Sequence, residues 1–212
     1  MTKPGYQKLT VGLIGVWFSL SLIASALHLL ETDPSGPPLA LGLAATLPIL
    51  LFLAWFATSA GFRQFVLDLN PRTLVLVHTW RLVGFTFLVL ASYGILPRLF
   101  ALPAGWGDIA IGATAPFAAI ALMNPRRRNS FLLWQALGIL DLVLAVGLGA
   151  GAHFIDPAAV PTSAMQVLPL SLIPGFAVPL LLILHLMSIA QARHWSESRH
   201  RAVPNVVRAS AI

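Results

Sequence analysis

Residues 131–152 read Phe-Leu-Leu-Trp-Gln-Ala-Leu-Gly-Ile-Leu-Asp-Leu-Val-Leu-Ala-Val-Gly-Leu-Gly-Ala-Gly-Ala, an apolar run interrupted by one charge at Asp141. About 20 such residues cross the roughly 30 Å hydrocarbon layer of a bilayer as a helix. The run is too long for a barrel strand and lacks strict alternation, so helix is the expected form. Five further stretches carry the same signature. The expected spans are residues 9–30, 38–60, 73–96, 106–123, 131–152 and 164–190, joined by short links rich in Pro, Gly, Asn and Asp. Short links make sequential helices antiparallel neighbours, which predicts one all-α bundle of six transmembrane helices. Residues 193–212 form a basic tail without a span of its own.

Composition agrees with that reading. Of 212 residues, 58% are hydrophobic and 9% charged, whereas a soluble domain carries roughly 25% charged residues. A soluble enzyme, a disordered chain and a coiled coil are therefore excluded. There are no cysteines, which removes thiolate chemistry, disulfides and cysteine-ligated metal or iron–sulfur sites. The net charge of +6 would point to nucleic acid in a soluble chain. Here the basic residues fall between apolar blocks, which is a topology signal instead.

Eleven of the 13 Lys and Arg residues fall on one side of the expected bundle. Lys3 and Lys8 precede span one, Arg63 and Arg72 follow span two, Arg126 to Arg128 follow span four, and the rest follow span six. Glu31, Asp33 and Asp156 lie in the opposite loops. The positive-inside rule then puts both termini in the cytoplasm and makes the chain a multi-pass protein of the cell membrane. A rival reading makes residues 1–26 a signal peptide, since Lys3 and Lys8 precede an apolar run ending in Ala24-Ser25-Ala26. The run continues through Leu30, which favours a span.

Ionisable groups inside a bilayer are costly, and each one marks a candidate site. Arg81 lies about 12 Å into span three and Asp141 about 15 Å into span five, from the same side. The two are expected to pair, since an arginine–carboxylate bridge removes much of each group's burial cost. Asp108 is expected in the first turn of span four, either facing the helix dipole or acting as an outer entry carboxylate. At 100° per residue, His78, Arg81, Phe85 and Ser92 share a face of span three. Trp134, Gly138, Asp141 and Ala145 share one on span five, with Gln135 at its edge. Span one offers Trp17, Ser21 and His28, and span six Ser171, Pro174, His185 and Ser188. Four polar stripes predict a lined interior.

The functional expectation is binding or translocation of a small solute or proton by Arg81, Asp141, Asp108, Ser92 and Gln135. In it Arg81 supplies fixed positive charge for an anion, and Asp141 takes and releases the proton. His78 and His185, each about 8 Å from the cytoplasmic ends of their helices, support an alternative: a redox protein holding haem b between two histidines. A third reading is a non-catalytic accessory subunit in which the Arg81–Asp141 pair only fixes packing. No Walker loop, zinc-binding HExxH, GxSxG elbow or dinucleotide fingerprint occurs, and no nucleophile–base set supports an enzyme. The expected partner is the lipid bilayer, with no nucleic acid.

Overall fold

Backbone N–H and C=O groups in apolar surroundings must be satisfied within the chain, and the described residues achieve this with helices alone. The computed structural model describes residues 3–32 and 38–195. Its elements are α1 (Lys3–Ala26), α2 (Leu39–Thr58), the short α3 (Ala60–Leu67), α4 (Pro71–Ser92), α5 (Arg98–Leu122), α6 (Arg128–Ile155) and α7 (Ile173–Arg193). All but α3 are long and apolar enough to cross a membrane, and their many exposed Leu, Val and Phe side chains are consistent with contact to lipid. Most of the basic tail lies outside the described residues, as does Asp33.

Local sequence explains where these helices begin. Asn70 and Asn124 each precede a proline, and each side-chain oxygen accepts from backbone N–H groups: Arg72 N for Asn70, Arg126 N and Arg127 N for Asn124. That is an asparagine cap followed by a residue with no donor to waste and φ already helical. Ser59 caps α3 by accepting from Phe62 N at 3.2 Å. α3 turns Phe62, Phe65 and Val66 inward, where Trp55 stacks on Phe62 at 3.7 Å and Tyr6 of α1 packs alongside.

Two boundaries differ from the sequence reading. Span four starts at Arg98, eight residues before the expected position, because Pro97 to Gly105 continue as helix despite Pro103 and Gly105. A proline near a helix start removes a single backbone bond, and the helix continues past it where neighbouring groups of the bundle take up the freed carbonyl. Span six starts at Ile173 rather than 164. Residues Thr162–Gln166 form a separate 3-10 turn, and Pro169 and Pro174 deny the intervening chain its helical donors. Gln166 Oε1 instead accepts from Thr32 N at 2.7 Å and Thr32 Oγ1 at 3.2 Å.

α7 is the central helix, packed against α2, α4 and α6, and α4 and α7 are the most buried of the long helices while α1 is the least. At the basic end, where Arg72, Arg126 to Arg128 and Arg193 gather, Gln191 of α7 donates from Nε2 to Val66 O at 2.9 Å and Leu69 O at 3.0 Å. These carbonyls lie at and just beyond the end of α3, and Val66 O also accepts from Leu69 N at 3.3 Å. Gln191→Leu is expected to lower stability by about 1–3 kcal/mol, the usual cost of leaving buried polar groups unpaired. The midpoint of thermal unfolding in detergent micelles measures it.

Candidate functional site

The middle of α4, His78–Gly84, winds as a 3-10 helix. Three residues per turn stack every third side chain on one line, so the inward row is His78, Arg81, Gly84 and Phe87, all buried. The regular α-helical spacing expected from sequence fails here. Phe85 is 61% exposed, and Ser92 is exposed with its Oγ donating to Val89 O at 2.7 Å. Ser92 therefore does not join the other candidate residues.

Arg81 has a side chain with no exposure and lies at the meeting point of α4, α5, α6 and α7. Its Nε donates to Asp108 Oδ1 at 2.7 Å, and its Nη2 donates to Asp141 Oδ2. Nη1 donates to Gly138 O at 3.2 Å and reaches His185 Nε2 at 3.3 Å. Four of the five guanidinium N–H groups are thereby committed. The two aspartate side chains each remain 16% exposed. The expected Arg81–Asp141 pair forms, and a second carboxylate joins it. Asp108 is not in a first turn: with α5 starting at Arg98, it lies about 15 Å into the helix. The helix-dipole position does not apply to it, because the dipole acts only within the first turn.

Glycines make this convergence sterically feasible. A Cβ added to Gly84 of α4 would overlap Asp108 of α5, one on Gly107 of α5 would overlap the Asp141 carboxylate of α6, and one on Gly138 of α6 would overlap the His185 ring of α7. Each helix thus leaves a gap for the polar side chain of the next. Gly112 extends the α4–α5 contact, its added Cβ falling 2.8 Å from Leu82 N.

Toward the basic end the polar row continues. His185 Nε2 accepts from Arg81, so the ring proton sits on Nδ1 and is donated to Gln135 Oε1 at 2.5 Å. The His78 ring stacks on His185 with centroids 3.9 Å apart and planes 25° from parallel. Axial ligation of a haem needs two imidazoles aiming nitrogens at one iron from opposite faces. Two rings packed face to face, with His185 Nε2 already engaged by Arg81, do not fit that group. Among the described residues, both His78 nitrogens, Gln135 Nε2, Ser188 Oγ and Gln191 Oε1 are buried without a hydrogen-bond partner.

Toward the opposite end a cavity of about 100 Å³ lies between α2, α5, α6 and the start of α7, with Asp108 in its wall. α1 contributes nothing to the centre. Its Ser21 Oγ donates to Gly175 O at 3.4 Å and Trp17 packs on Phe176, while His28 is exposed and paired with Glu31 at 2.5 Å. Sequence spacing located Arg81, Asp141 and Gln135 on inward faces. It missed Gly84 and Gly107, and it missed His185 as a partner of Arg81, since none of these contacts is local.

The model of a family described as Domain of unknown function (DUF8737) matches residues 38–193. That stretch holds α2 to α7 and every member of the Arg81 centre, and it leaves out α1. No curated protein and no solved structure matches the chain.

Proposed function

The chain belongs to the DUF8737 family, and we propose that it is a multi-pass protein of the cell membrane whose Arg81–Asp108–Asp141 centre binds and passes a proton, alone or with a small solute. The observation that carries this reading is a guanidinium without solvent exposure held between two carboxylates. One positive and two negative groups leave a formal excess of one negative charge. In surroundings of low dielectric such an excess is costly, and a bound proton or cation removes it. Two carboxylates competing for one arginine behave as a coupled pair that exchanges one proton.

Protonation of Asp141 releases Arg81 Nη2, and the guanidinium then leans on Asp108 alone; protonation of Asp108 does the converse. Asp108 takes up the proton from the cavity side. The column of His185, Gln135, His78, Ser188 and Gln191 carries it toward the basic end, where its unpartnered polar atoms suit a short file of water. The excess of basic residues at that end makes it the cytoplasmic one by the positive-inside rule, with both termini on that side.

Asp141→Asn keeps an acceptor for Arg81 and removes the exchangeable charge. In proteoliposomes loaded with a pH-sensitive dye, proton flux through this variant is expected to fall about tenfold or more, consistent with loss of a positioned acid–base group. Unaltered flux with unaltered pH dependence would overturn the proposal.

A further inference from the structure

We infer that the cavity beside Asp108 binds a small organic cation, an ammonium group on a short apolar body. The inference rests on the reading of Asp108 as a charged member of the centre. Its walls are apolar and lined by small residues: Leu41, Gly42 and Ala45 of α2 face Ala145 and Gly149 of α6. Gly42 itself is exposed, and a Cβ added to it meets nothing within 4 Å, so the α2 wall is uncovered at that point. Asp108 is the one charged side chain among the described residues that line it.

Charge selects the occupant. Arg81 was expected to attract an anion, yet its side chain has no exposure and four of its N–H groups are taken by Asp108, Asp141, Gly138 and His185. An anion in the cavity would meet the Asp108 carboxylate and no cationic side chain, the donors among the described lining residues being the neutral Thr162 and Gln166. An ammonium finds the second oxygen of Asp108, whose side chain retains 16% exposure, and gains a charge-assisted hydrogen bond. The ligand also supplies the positive charge that the centre lacks. A free amine and an aminophospholipid headgroup share the ammonium that Asp108 would recognise, and competition with phosphatidylethanolamine separates the two.

Full-length protein in phosphatidylcholine nanodiscs, titrated with radiolabelled n-hexylammonium, n-hexanoate and 1-hexanol, tests this. Saturable n-hexylammonium binding is expected, with the anion and the alcohol about tenfold or more weaker, the factor that one charge-assisted hydrogen bond confers. Asp108→Asn should abolish the preference for the cation. Gly42→Leu fills the cavity without touching the centre and should abolish binding altogether, which keeps the test decisive if Asp108→Asn does not fold. Equal binding of hexanoate, or hexylammonium binding unaltered in Gly42→Leu, overturns the inference, as does displacement by phosphatidylethanolamine. Proton flux in proteoliposomes is a separate readout: flux absent with amine binding intact sinks the proton reading alone, and the reverse sinks the cation site alone.

Discussion

Arg81→Met is expected to be the most damaging single substitution in the chain. It strands two carboxylates, Asp108 and Asp141, in a bundle interior where each has Arg81 as its charged partner. Breaking a buried ion pair by removing one side costs about 3–5 kcal/mol, because the remaining charge is left uncompensated. A membrane bundle of ordinary stability, about 5–15 kcal/mol, would lose much of its folded population. The yield of monodisperse protein after detergent extraction and the unfolding midpoint both measure this. Arg81→Met/Asp108→Asn/Asp141→Asn leaves no charge to compensate and is expected to recover most of the lost stability. The triple variant also separates roles. If it folds and conducts protons like the parent, the three charges only fix the packing, which is the accessory-subunit reading.

Gly107→Ala and Gly138→Ala form the second large effect. Each new methyl group would occupy space now held by the Asp141 carboxylate or the His185 ring. Overpacking a tight contact costs about 1–3 kcal/mol, and neither neighbour can retreat without giving up its bond to Arg81. Gly147→Ala is the matched control on α6, since its added Cβ meets nothing within 4 Å. There the better helix propensity of alanine, about 1 kcal/mol, should leave stability equal or improved. Thermal unfolding of the three variants side by side gives the comparison. Equal behaviour of Gly138→Ala and Gly147→Ala would show that α6 and α7 do not approach as closely as described.

Much of the architecture is legible along the chain. Six runs of spanning length appear as six helices, and Arg81 and Asp141 meet as their depths require. The errors have local physical causes. Pro103 and Gly105 carry a loop signature, which predicts a later start for α5 and places Asp108 at its outer end. The 3-10 winding of His78–Gly84 alters the spacing on α4: regular α-helical spacing aligns Ser92 with Arg81, whereas the observed winding aligns Gly84 with it. Pro169 and Pro174 cut short a run that is apolar enough to be helix throughout, and the eight residues of α3 are too short for a span, so the sequence presents them as part of a connection.

Composition and apolar run length suffice for helical class, helix count and the separation of basic from acidic loops, because those depend on how long each stretch stays free of charge. Which polar groups share one centre depends on helix rotation and on where glycines let neighbouring helices close in. Residues from four helices, 27 to 104 positions apart, meet at one guanidinium, and contacts of that kind leave no periodic trace in the residues beside them. The packing decided that Asp108 and His185 join Arg81, and it left that arginine enclosed by partners of its own.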